Sequence, residues 1–271
     1  MFNLKEMIFL QRMVVVFFIS IVLQPGVSYS QTITFAVDDY CPYYCKDNDS
    51  ETGKFEKNPG FIIEILDYAF KKVNIQTNYV FVPWERGISE VTKNKVNGIV
   101  ITSKENAPEL IFPEQEQGYS VGCFVTQNTN DWRFIDKTSL YGIRLGVIQN
   151  YDYGEPVDSY IWQHHQPENQ VAFVAGANAL PRLLQMLVKK RIDATIDDEN
   201  VLRQSIKKLN LETKVIYANC TKDQVKLYVA FSPKDPDSVK YANILSNAMI
   251  SLRESAQLAT ILAKYDVKDW K

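Results

Sequence analysis

Five short clusters of polar and aromatic side chains stand at the ends of apolar runs, and their types suit the capture of a small polar or charged molecule. Asp39 and Tyr40 follow the run at 32–37, Trp84 and Arg86 follow the run at 79–82, and Thr102, Ser103 and Lys104 follow the run at 99–101. Tyr151 and Tyr153 follow 143–148, and Asp198 closes 191–198. An indole or phenol ring offers a flat face for stacking. A guanidinium fork grips a carboxylate through two bonds, while hydroxyls orient and single charges select. Solute pockets combine apolar walls with a few such groups.

Nucleophile and metal chemistry find no matching pattern. The chain has no GxSxG, no HExxH and no Cys–His pairing. Its only histidines, His164 and His165, are adjacent in a polar stretch, so no zinc site and no cofactor is expected. An enzyme here would need a carboxylate of raised pKa in the cleft, for which Asp39, Glu85 and Asp198 are candidates.

Each of these residues also has a purely structural reading. Trp84 after a strand can act as a lid on the core, and Arg86 as a surface charge at a helix start. Asp198 can cap the following helix, a role compatible with ligand contact. Asp38 and Asp39 compete for one role, the other being a turn residue. Tyr151 and Tyr153, two apart in extended backbone, point the same way, which brings at least one into the site.

The elements that must position these groups alternate between strand and helix. Residues 32–37 read as a strand, 46–59 as a polar surface loop, and Gly60 as the opening of a helix with Ile62, Ile65, Leu66, Ala69, Phe70 and Val73 on one face. Residues 80–104 read as strand, loop at Pro83, short amphipathic helix, turn at Asn97-Gly98 and strand, the crossover unit of a parallel sheet. In such sheets ligands sit outside the carboxyl ends of the strands. Further strands are expected at 118–126, 143–148, 171–174, 191–198 and 225–231, with helices at 157–162, 180–188, from Asp198 to 209, and from 237 to the end. The segment NGIVITSKEN is echoed by RIDATIDDEN, which two similar α/β lobes would explain.

Bulk properties narrow the classes. The 271 residues carry 30 Lys and Arg against 32 Asp and Glu, with no basic run, so nucleic acid is a poor partner. A basic start (Lys5, Arg12), an apolar run over 13–23 and small residues at Ser28 and Ser30 describe a signal peptide over 1–30 that directs export to the periplasm. The apolar run is shorter than the roughly 20 residues of a membrane span. Without these residues, which hold Lys5, Arg12 and Glu6, the net charge moves from −2 to about −3. In an exported chain the four cysteines are disulfide candidates. Cys41 and Cys45 enclose three residues and would pin the loop that holds Tyr40; Cys123 and Cys220 either pair or stay as buried thiols.

The stretches AVDDYCPYYC, NPGFIIEILDYAFKKV, VPWERGISEVTKNKVNGIV, LYGIRLGVIQNYDYG, RIDATIDDEN and ESAQLATILAKYDVKDW, in this order, resemble the family 3 extracellular solute-binding proteins. That group includes the periplasmic polar amino-acid receptors of ABC importers. The resemblance covers essentially all of the chain after residue 30. It implies an α/β, two-lobed, type II periplasmic-binding-protein fold with parallel-sheet lobes and a central ligand cleft. Lobe 1 would be 31–119 plus 227–271 and lobe 2 would be 120–226, joined by crossing segments near Tyr119 and Lys226 and closing by hinge motion. It further implies a monomer that captures a small polar, amino-acid-like solute and hands it to an ABC-importer membrane component. A sensing subunit for a signalling receptor, or a dehydratase-like enzyme on the same scaffold, are the alternatives. By resemblance Tyr40 stacks on the ligand, Trp84 lines the cleft and Asp198 holds an amino group. The chain departs from the amino-acid receptors where Asn106 replaces the arginine that grips the α-carboxylate, where Asn150-Tyr151 replaces Gly-Thr, and in a shorter loop before Lys104. Arg86 or Lys104 would then have to meet any carboxylate.

Overall fold

The computed structural model describes residues 31–47, 55–166, 170–176 and 178–271, so the expected signal peptide at 1–30 and the middle of the 46–59 loop lie outside the described residues. Strand β1 (Gln31–Val37) buries Ile33, Phe35, Ala36 and Val37 and runs parallel to β3 (Gly98–Thr102), with Phe35 opposite Gly98. Between them in sequence come helix α1 (Phe61–Lys71), β2 (Ile75–Phe81) and α2 (Trp84–Thr92). Helix α1 buries Phe61, Ile62, Ile65, Leu66, Ala69 and Phe70, the face expected from a 3.6-residue period, whereas Val73, also expected on it, lies beyond the helix and is exposed. It carries Glu64 in its first turn and Lys71 in its last, each at the end of the helix dipole that favours it.

The second half begins with β4 (Gly118–Gln127), then β5 (Leu145–Ile148), α3 (Val157–Gln163), β6 (Val171–Val174), α4 (Ala179–Val188), β7 (Ala194–Asp198) and α5 (Glu199–Lys208). The long β8 (Val215–Phe231) and helices α6 (Ser238–Glu254) and α7 (Gln257–Ala263) complete the chain, with α6 packed back on α1. Strand order is β2-β1-β3-β8-β4-β7-β5-β6. The echoed strands β3 and β7 are both buried at every position.

Three expectations need correction. The sheets are not purely parallel: β5 is parallel to β6 and β7, but β8 runs antiparallel to both β3 and β4, and β4 antiparallel to β7. The strand expected at 225–231 begins ten residues earlier, because 222–226 is exposed and held by backbone pairing to β4, leaving no apolar alternation to read. The closing helix is two helices, broken where Ala256 takes a left-handed conformation at φ 56°.

Strands β4 and β8 run side by side with Tyr119 opposite Lys226, and farther along Cys123 and Cys220 face each other and are bonded. The second disulfide joins Cys41 to Cys45.

Candidate functional site

The site is built from loops at the carboxyl ends of strands. After β1 the chain turns through Asp38 to Cys45, closed by the Cys41–Cys45 bond and by paired backbone bonds between Tyr40 and Tyr44 (3.1 and 3.2 Å). Gly60 locks this loop in place. Its φ is +106°, and a β-carbon there would overlap the Tyr43 carbonyl and the Tyr44 α-carbon. Within the loop Tyr40 stacks on Tyr43 with ring centres 5.3 Å apart.

Strand β7 ends in two buried acids that serve different faces, as successive strand residues must. Asp198 Oδ1 accepts from the N–H groups of Asn200 (2.9 Å) and Val201 (3.1 Å), capping α5. Its Oδ2 meets Tyr43 Oη (3.0 Å) and the Val121 N–H (3.3 Å). Tyr43 Oη also lies 2.7 Å from the Tyr119 carbonyl, so one phenol proton faces two acceptors. Burial pushes the Asp198 carboxyl up to about 6, against opposing bonds from Ser120, Tyr43 and the α5 amides. A solvent-open hollow of about 240 Å³ lies beside this contact, lined by Tyr43, Tyr119, Asn200, Arg203, Gln224 and Trp270.

Asp197 is 3 % exposed and opens towards the tyrosines. Its Oδ1 accepts from the Asp198 N–H (2.8 Å) and, weakly, from Tyr40 Oη at 3.5 Å; no described group donates to Oδ2. Burial, with the Asp198 charge adding, pushes this carboxyl up to about 7, and no cation pairs with it. Tyr151 and Tyr153, with ring centres 6.3 Å apart, stand in its field. Tyr153 is fixed by accepting the Ile148 N–H at 2.7 Å, whereas Tyr151 remains 40 % exposed. Burial and the Asp197 charge, with Asp38 and Asp39 behind it, raise the Tyr151 phenol. Tyr40, Tyr43, Tyr44 and Tyr153 are raised by burial and by neighbouring carboxylates in the same way.

The remaining expected residues divide. Asp38 is held by the Asp39 N–H (2.9 Å) and the first amide of α2, Trp84 N–H (3.2 Å); Asp39 is exposed and accepts from the Lys46 N–H. Burial raises the half-buried Asp38 carboxyl. The Trp84 indole donates to the Ile101 carbonyl (3.1 Å) and its ring packs over the Val91–Ile99 cluster, which is the lid reading. Thr102 and Ser103 are buried, with Ser103 Oγ accepting from the Asn106 N–H. Arg86 pairs with Glu90 at 2.8 Å and its side chain is 67 % exposed. The exposed Lys104 rests its ammonium 5.0 Å from the Tyr228 ring. Sequence reasoning did not single out Asp197, Tyr43 or Tyr44; period-two alternation separates the faces of Asp197 and Asp198 but does not say which face is the cleft. Among the described residues no group of three His, Cys, Asp or Glu is arranged to hold a metal.

No family model matches the chain, and no curated protein matches its sequence. Solved structures do match its shape. One, from work on glutathione import in Gram-positive bacteria and the cystine ABC importer of Streptococcus mutans, superposes with TM-score 0.69 at 17 % identity over 87 % of this chain and 95 % of that one. The sensor domain of a histidine kinase with similarity to periplasmic binding proteins gives 0.68 at 16 % identity over 86 % and 95 %. An ancestral arginine-binding protein bound to glutamine gives 0.67 at 17 % identity over 86 % and 97 %. The fold is thus the α/β, two-lobed type II periplasmic-binding-protein fold, with the antiparallel crossing strands described above.

Proposed function

We propose that this protein is an exported receptor that binds a small polar or charged solute between two lobes and passes it to a membrane partner of ABC-importer type. The observation that carries this reading is one cleft-side group drawn from both halves of the sheet: Tyr40 from the loop after β1, Tyr151 and Tyr153 from the loop after β5, and Asp197 from β7, none forming a nucleophile–base pair. In this reading the lobes are 31–119 plus 227–271 and 120–226, hinged where Tyr119 and Lys226 lie side by side on β4 and β8. Residues 1–30 act as a cleaved signal peptide, the protein works as a periplasmic monomer, and capture requires no chemical step. The match to a kinase sensor domain favours one second reading, that the closed form is presented to a signalling receptor instead.

Adding solutes to protein refolded from denaturant tests the receptor. A true ligand at about 100 times its Kd adds about 2.7 kcal/mol, a melting shift of roughly 5–10 °C for a chain of this size. Small-angle scattering should show compaction with the same solute. Turnover of that solute would replace binding by catalysis.

A further inference from the structure

We propose that the solute is an organic ammonium ion lacking an α-carboxylate, its cationic group placed at Asp197 Oδ2 within the wall formed by Tyr40, Tyr151 and Tyr153. This rests on the receptor reading and names its ligand class.

The first support is an uncompensated acid. Asp197 is 3 % exposed, one oxygen has no donor among the described residues, and the formal charge among them that raises it is the like charge of Asp198. A buried carboxylate without a cation is costly, and a bound ammonium ion removes that cost. The second support is the wall. Tyr40 Oη lies 3.5 Å from Asp197 Oδ1, Tyr151 and Tyr153 stand with ring centres 6.3 Å apart, and the Asp197 charge acts on all three phenols. Phenol faces attract cations.

The third support is that the anion-holding groups nearest the loop after β1 are already engaged within the protein. The first amides of α1 donate to the Pro42 and Tyr43 carbonyls, and the Gly60 N–H donates to Tyr265 Oη. The α5 amides are capped by Asp198, and the Trp84 amide at the start of α2 by Asp38. Arg86 is paired with Glu90 and Lys104 lies over Tyr228. The N-termini of α1 and α5 and the two cations expected at the site, Arg86 and Lys104, are thus not open to an α-carboxylate.

Titration calorimetry and thermal shift on the full chain, with agmatine, putrescine and choline against arginine, glutamine, glutamate and glucose, test the inference. At least one of the three cations should bind, with agmatine tighter than arginine, which differs from it by the carboxylate. Asp197→Asn keeps Oδ1 as acceptor for the Asp198 amide and removes the charge; it should weaken the cation at least tenfold without lowering the melting temperature of the free protein at pH 8. Tyr151→Leu, at a half-exposed position that folding tolerates, should weaken it by roughly fivefold. Cation affinity should rise from pH 5.5 to 8 as protons cease to compete at Asp197, whose titratable neighbours are Asp198 on β7, Tyr40 in the loop after β1, and Tyr151 and Tyr153 in the loop after β5. Cation binding unchanged in Asp197→Asn overturns the inference. So does binding confined to arginine, glutamine, glutamate or glucose, although the receptor then stands. Absence of binding in every class sinks both.

Discussion

Asp197 shows how a single carboxyl can trade stability for binding. Its ordinary value is 3.8, and in the fold burial raises it to about 7. Below about pH 4 it is protonated in folded and unfolded chains alike. Between about pH 4 and 7 the unfolded chain releases its proton while the folded chain keeps it, so stability falls as pH rises. Asp198, raised to about 6 by burial, acts in the same direction. The free protein should therefore melt several degrees higher at pH 5 than at pH 8 in calorimetry, and Asp197→Asn should reduce that difference. A melting temperature that rises steadily from pH 5 to 8 would contradict the assigned direction. Arg86 and Glu90 illustrate the opposite case: a surface i,i+4 pair, worth only about 0.3–0.5 kcal/mol.

At the scale of elements, the loop after β1 owes its shape to a glycine outside it. Gly60 accepts a backbone conformation that a β-carbon would strain by about 1–3 kcal/mol, before its overlap with Tyr43 and Tyr44 is counted. Gly60→Ala should lower the denaturation midpoint accordingly and also loosen Tyr40, which stacks on Tyr43. Equal solute affinity in a folded Gly60→Ala protein would separate that loop from binding. The elements themselves were largely readable. The face of α1, the Asp198 cap of α5 and the breaks at Pro83 and Asn97 follow from local residue types. Strand β8 was half hidden because its exposed crossing stretch is held by main-chain bonds that any sequence can make.

For the whole molecule, the two disulfides act at different ranges. Cys123–Cys220 spans 97 residues and ties β4 to β8 next to the crossing of the two half-sheets. On loop-closure grounds removing it costs about 4–5 kcal/mol, against about 2 kcal/mol for Cys41–Cys45, whose separation is 4. Thermal unfolding of Cys123→Ala/Cys220→Ala and Cys41→Ala/Cys45→Ala proteins should rank in that order. The small-loop variant should lose proportionally more solute affinity, since ordering the Tyr40 loop would then fall on binding. The reverse ranking would assign the stabilising role to the short bridge.

The sequence by itself determined the alternation of strands and helices, the short spacing of Cys41 and Cys45 and the clusters at strand ends, because these depend on periodicity, turn chemistry and short spacings. Only the tertiary structure decided that Asp197 meets Tyr40 while Asp198 meets Tyr43 and caps α5, and that Arg86 and Lys104 are engaged elsewhere. The physical reason is that a strand's alternation fixes opposite faces but not their neighbours. Those come from how β7 pairs with β4, placing Asp197 opposite Cys123, and from a loop after β1 more than 150 residues away in sequence that brings Tyr40 and Tyr43 to the two carboxylates.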